Sequence, residues 1–201
     1  MREKQFAPAT QRNRDPILAV LKGILPPTGT VLEVASGTGE HAVYLAPQLR
    51  PRRWLPSEAN PFLRESILAW EDEFPCDVLA SPIALDVTAD HWWQEVGEAL
   101  SAIVCINLIH IAPWSACDGL IKGAGALLPL GGILYLYGPF KEGGKHTAGS
   151  NAAFDESLQQ QNPQWGVRDL DDVVSLANAY NLELQDVIAM PANNLSVVFR
   201  R

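Results

Sequence analysis

One acid, Glu33, interrupts the apolar run Thr30 to Ala35 and stands just before the turn Ser36-Gly37-Thr38-Gly39. A carboxylate near the tip of a buried strand is costly unless a cation or a fixed donor meets it. Gly37 and Gly39 let the backbone bend sharply and let a ligand come close. In open α/β sheets that corner, at the carboxyl end of a strand, is where ligands bind. Two ligand chemistries fit. Gly37-Thr38-Gly39-Glu40-His41-Ala42 follows the dinucleotide spacing G-x-G-x-x-G/A, and Glu58 lies about 20 residues on, where a ribose-binding acid belongs. That reading predicts an NAD(P)-dependent oxidoreductase. Against it, Glu33 has no task toward a pyrophosphate and repels one. S-adenosylmethionine suits Glu33 better, because its ammonium and sulfonium are cations. The structural alternative is a Glu33 bonded to local backbone, or paired with Arg12 or Arg14.

Methyl transfer is an in-line displacement at carbon, and orientation alone can supply ~7–11 kcal/mol of the barrier. A base is needed only when the nucleophile holds its proton tightly. His110 is the candidate base, because it follows an expected strand at the ligand end of the sheet and titrates near neutrality. A histidine packed under a helix is the alternative. Tyr137, at the end of the next strand, is placed to orient a substrate. Residues 138–168 are polar and Gly-rich, and so long an insertion reads as a lid or binding loop. It brings Phe140, His146, Asn151, Asp155 and Trp165 toward a small-molecule substrate from which a lid excludes water. No His, Cys, Asp or Glu cluster has metal-ligand spacing, so no metal is expected.

These side chains need a scaffold. Strand-like and helix-like runs alternate, which predicts a parallel sheet covered on both faces. The first helix is expected to begin at Asp15-Pro16 and to stop at Pro26-Pro27. Strands are expected at Thr30 to Ala35, Arg53 to Pro56, Ala80 to Leu85, Ala102 to Asn107 and Ile133 to Tyr137. Helices are expected after Gly39, from Asn60-Pro61, around His91 to Leu100, over Ser115 to Leu127 and from Asp169. Near the C-terminus two strand-like runs flank only Pro191-Ala192-Asn193-Asn194. So short a link predicts an antiparallel hairpin, because a parallel pair needs a crossover of a dozen or more residues. That hairpin does not belong to a dinucleotide-binding sheet.

The 201 residues suffice for one domain, read as residues 1–201 with no internal repeat. A net charge of −8 makes nucleic acid a poor partner. Cys76, Cys105 and Cys117 are odd in number and show no Cys-x-x-Cys spacing, which fits buried thiols in a reducing compartment. The N-terminal stretch has no apolar core, and no apolar run reads as a membrane span. A soluble cytoplasmic protein without membrane partners is expected.

"EVASGTG" resembles the E/D-x-G-x-G-x-G signature of class I S-adenosylmethionine-dependent methyltransferases, with Ala35 in place of its first glycine. The stretches "RNRDPI", "NLIHIAPW", "YLYGPF", "SNAAFD", "WGVRDL" and "MPANNLSVVF" are similar to those of an uncharacterised bacterial and eukaryotic family within that superfamily. The resemblance implies a three-layer Rossmann-like methyltransferase fold. Its mostly parallel sheet would have seven strands in the order 3-2-1-4-5-7-6, with the last strand antiparallel. It also implies a transferase that moves a methyl from S-adenosylmethionine, leaving S-adenosylhomocysteine. A non-catalytic binding protein on the same fold is the alternative. By the same resemblance Glu58 takes the ribose hydroxyls, Asp86 the adenine amino group, and Asn107 lies near the sulfonium. Ser36, Gly37 and Gly39 form the cofactor turn, and Arg12 and Asn13 fold over the site, where an arginine can grip a carboxylate.

Overall fold

The computed structural model describes residues 2–201. The chain begins α1 (Thr10–Ile24), β1 (Thr30–Val34), α2 (Glu40–Gln48), β2 (Arg53–Pro56), α3 (Pro61–Glu73), β3 (Leu100–Ile106), α4 (Trp114–Leu127) and β4 (Ile133–Gly138). It continues β5 (Phe140–Glu142), β6 (Lys145–His146), α5 (Gly149–Gln161), β7 (Arg168–Asp169), α6 (Leu170–Ala179), β8 (Glu183–Met190) and β9 (Asn194–Arg200). A six-stranded mixed sheet runs β2-β1-β3-β4-β9-β8. Its first four strands are parallel, and β9 is antiparallel to both neighbours. The terminal hairpin therefore forms as its short link requires.

Central strands buried on both faces explain the continuous apolar runs. Leu32, Ile103, Leu134 and Phe199 face a core shared with Leu120 of α4 and Val173 of α6. Val31, Trp54, Val104 and Tyr135 face the opposite core with Ile17 and Leu21 of α1 and Leu45 of α2. Each such fully buried aliphatic side chain contributes about 1.5–3 kcal/mol. Strand alternation puts Glu33 on the Val31 side, toward α1 and α2.

Four expectations need correction. The expected third strand does not form: around Ala80 to Leu85 there are only two isolated parallel bridges, Trp54 with Leu79 and Ser57 with Ile83. Pro82 lacks the N–H a ladder needs, which confines this segment to an edge. Helix α1 starts at Thr10, not at Asp15, and carries Pro16 inside it. Thr10, Asn13 and Ile17 are buried, so packing holds the first turn despite the missing Pro16 donor. Residues 138–168 are not a loop. Gly138 completes β4, and the rest folds as α5 and two strands of a small sheet ordered β6-β5-β7. The helix expected around His91 to Leu100 is only a 3-10 turn, Trp92–Glu95.

Residues 2–9 form a strap over α3. Arg2 pairs with Glu65 at 2.9 Å and Lys4 pairs with Glu73. Lys4 Nζ lies 4.5 Å from the Trp70 ring centre. Gln5 N–H donates to Ser66 Oγ at 2.8 Å, and Ala7 N–H donates to Glu40. Ser66 Oγ in turn donates to Thr38 O at 2.8 Å. The strap is thereby fastened to the glycine turn.

Candidate functional site

The turn after β1 sits at the carboxyl ends of the parallel strands. Ala35 and Gly37 both adopt positive φ, 55° and 57°. This is glycine territory, and Ala35 holds it at a position where the resembling signature has glycine. Gly37 N–H donates to Glu58 Oε2 at 3.0 Å, and Asn60 N–H donates to Glu58 Oε1 at 3.0 Å. Each carboxylate oxygen keeps a second acceptor site. Glu58 lines a cleft of about 130 Å³ together with Ala35, Leu85, Asp86 and Leu108. Asp86 Oδ1 accepts from Thr88 N at 2.9 Å and from Thr88 Oγ1 at 2.7 Å, a local capping arrangement. Asp86 thus serves its own turn while facing the cleft.

Glu33 is 2% exposed, and its Oε2 accepts from Trp54 Nε1 at 3.0 Å. Among the described residues no basic side chain pairs with it, neither Arg12 nor Arg14. Burial pushes its pKa up to about 7, against the pull of Trp54 and Ser36. It keeps its proton to higher pH than an exposed carboxylate, and the donors near it are neutral.

Ser36 and Gly39 turn out to serve the scaffold. Ser36 Oγ donates to Glu33 O at 3.2 Å and accepts from Ser57 N at 3.2 Å, tying the turn to the end of β2. Gly39 has φ 93°, and a Cβ there would lie 2.8 Å from Ile67 Cα. Its lack of a side chain lets α2 approach α3.

A larger cavity of about 500 Å³ opens beside the cleft. Arg12, Asn13, Asn107, Tyr137 and Asn151 line it, so five of the expected residues meet here. Asn107, at φ 65°, follows β3 in a left-handed conformation that asparagine tolerates. Asn13 bonds His41 Nε2 at 2.9 Å, and burial lowers the His41 pKa to about 4, aided by Arg14. Burial raises the Tyr137 pKa, partly offset by Asn13 and Asn194. Asn151 Nδ2 donates to Asn193 O at 2.9 Å, joining α5 to the β8–β9 turn. Sequence reasoning missed Ile111, Ser150, Phe154, Pro191 and Asn194 on the same wall. The signal for the last two was present: a hairpin whose Pro-Ala-Asn-Asn tip returns to the ligand end of the sheet.

The remaining candidates lie elsewhere. His110 is 1% exposed and is not on the cavity wall. Neither ring nitrogen has a hydrogen-bond partner, and the ring meets Phe140 edge-on at 5.1 Å. Burial, then Arg168, lowers its pKa to about 3. A neutral ring walled off in this way is not placed to take a proton from a substrate. Phe140 is wholly buried core. Asp155 is held by Lys141 at 2.7 Å, by His146 at 3.1 Å and by Val167 N–H at 2.8 Å. That cluster ties α5 to the small sheet, and none of its side chains lines the cavity; the half-buried Trp165 is also off the wall, its backbone N–H donating to Asn162 O. Among the described residues no three His, Cys, Asp or Glu side chains are grouped to hold a metal, and no helix is long and apolar enough to cross a membrane.

A family model described as "Protein of unknown function (DUF938)" matches residues 4–201. The chain belongs to this family. Among solved structures, an O-methyltransferase family protein from Burkholderia thailandensis superposes with a TM-score of 0.80 at 14% identity, covering 96% of this chain and 57% of that one. An O-methyltransferase family 2 protein from Planctomyces limnophilus, solved with apigenin, gives 0.78 at 16% identity, covering 96% and 60%. Human N-acetylserotonin methyltransferase, solved with S-adenosylmethionine, gives 0.76 at 12% identity, covering 96% and 52%. This member of the family thus has the methyltransferase fold and spans somewhat over half the length of these structures.

Proposed function

We propose that the chain is an S-adenosylmethionine-dependent methyltransferase acting on a small molecule. The observation that carries this is Glu58: two backbone N–H groups fix its carboxylate at the cleft and leave acceptor sites for a vicinal diol. Asp86 faces the same cleft, toward a base. Glu33, buried beneath the turn without a basic partner, lines neither cavity, so it supports this reading only through the negative field it sets under the turn. Arg12 and Asn13 at the larger cavity suit its carboxylate end. When bound, S-adenosylmethionine supplies an electrophilic methyl. The chain's own residues hold the nucleoside, shield the reacting end from water and align the acceptor.

Calorimetry with S-adenosylhomocysteine tests this. Binding to the wild-type chain is expected, and Glu58→Gln should weaken it ~10- to 100-fold, the worth of one charged hydrogen bond at about 1.5–3 kcal/mol. No binding at high micromolar concentration would remove the proposal. A second reading, a binding protein without turnover, is favoured by the position of His110 off the cavity wall. Binding without methyl transfer to any compound in a cell extract would select it. An NADH titration separates the oxidoreductase reading.

A further inference from the structure

Resting on that methyltransferase reading, we infer that the methyl acceptor is a small amphiphilic anion, a carboxylate or thiolate whose nucleophilic atom is ionised before it enters. Thirteen residues line the larger cavity, and Arg12 is the only formally charged one. There is no Asp, Glu, His, Lys or Cys among them. Tyr137 keeps its phenolic proton, because burial raises its pKa. A neutral alcohol or an ammonium therefore has nowhere on this wall to leave a proton.

The wall also carries positive potential. Ala9 is the N-cap residue of α1 and Ala148 that of α5, and neither helix has a side-chain cap. Ala9 and the first-turn residues Ser150 and Asn151 all face the cavity. The N–H groups of Thr10, Arg12 and Asn151 are bonded to the carbonyls of Ala7, Ala9 and Ala148, so it is the helix dipoles that favour an anion here. Arg12 stands on the same wall, but the cofactor's carboxylate takes its charge, so an anionic acceptor is favoured by the helix dipoles and by the lack of any acid among the lining residues. Ile111, Pro139, Phe154 and Pro191 supply an apolar bed for the body of the molecule.

Transfer to such an acceptor balances without a base. Its lone pair forms the new bond to the methyl carbon while the sulfur–methyl bond breaks and returns its electron pair to sulfur. The negative charge of the acceptor and the positive charge of the sulfonium vanish together, and no proton has to move.

Four ring compounds of similar size test this on protein saturated with S-adenosylhomocysteine at pH 8: benzoate, thiophenolate, benzylamine and benzyl alcohol. Ligand-detected NMR titration should show at least one of the two anions binding tenfold or more tighter than the amine and the alcohol. Whichever anion binds tighter separates the carboxylate class from the thiolate class. Ser150→Asp places a negative charge on the acceptor wall at an exposed first-turn position where helices accept it, so the variant should fold. It should weaken anion binding at least fivefold, and weaken S-adenosylhomocysteine binding by less than that. Equal or tighter binding of benzylamine or benzyl alcohol, no binding of any of the four, or an unresponsive Ser150→Asp would overturn the inference and leave the cofactor reading standing. Failure of S-adenosylhomocysteine itself to bind would instead remove the reading beneath it.

Discussion

Replacing Glu33 by Gln should stabilise the ligand-free protein at alkaline pH. The amide oxygen of the substituted side chain can still accept from Trp54 Nε1, and the fold loses only a buried charge. Burial raises the folded-state pKa of Glu33 from 4.5 to about 7. The folded chain therefore holds this proton longer than the unfolded one, and stability falls as pH rises through that window. At about 1.4 kcal/mol per pH unit, the full interval is worth about 3 kcal/mol. Near pH 4 both carboxyl states are protonated, and the two proteins should be equally stable. At pH 8 the Glu33→Gln variant should be about 3 kcal/mol more stable. Denaturant unfolding from pH 4.5 to 8.5, followed by tryptophan fluorescence, reads the gap directly. A gap that stays constant with pH, or a variant that is weaker at pH 8, refutes the reasoning. The variant should also lose S-adenosylhomocysteine affinity, so the acid lowers stability where it supports binding.

His110 acts in the opposite direction. Burial lowers its folded-state pKa to about 3, so the unfolded chain gains the proton first and stability falls as pH drops below about 6.5. His110→Leu should remove about 2 kcal/mol of the stability lost at pH 5, measured as the difference between its unfolding free energies at pH 7 and pH 5. Equal acid sensitivity in both proteins would contradict the buried neutral ring. At Gly138, with φ 156°, an added Cβ would collide with the His110 ring. Gly138→Ala should cost about 1–3 kcal/mol in denaturant unfolding, and a loss below about 0.5 kcal/mol would show that the ring yields freely.

Much of the scaffold was legible because the signals were local. Apolar runs marked β1, β3 and β4, with Glu33 the one acid in the first. Asn60-Pro61 marked α3, where Asn60 Oδ1 accepts from Phe62 N at 2.9 Å, and Asp169 caps α6 in the same way. A four-residue link sufficed for the hairpin. What failed depended on distant neighbours. Thr10 and Asn13 look like a polar prelude, and only their burial shows that they belong to α1. Two-residue strands such as Lys145–His146 are too short for any periodicity to reveal. Gly39 reads as a ligand glycine until Ile67 of α3 is found against it, and Ser36 until its hydroxyl is found bonded to Ser57. His110 has the residue type of a base, but which way a turn points its ring is a tertiary fact. Arg12, Asn13, Asn107, Tyr137 and Asn151 converge on one cavity because each follows or faces the carboxyl end of the same sheet.

The strap over α3 makes the glycine turn sensitive to ionic strength at second hand. Its outer fastenings, Arg2 with Glu65 and Asp72 and Lys4 with Glu73, are ion pairs between partly exposed side chains. Added salt screens such contacts within a Debye length of about 8 Å at physiological concentration. The inner fastenings at Gln5 and Ala7 are backbone donors that salt leaves largely intact, and they end on Ser66 and Glu40, which both brace Thr38. In brine the buckle loosens from its free end inward, and the load passes to the two bonds nearest Thr38.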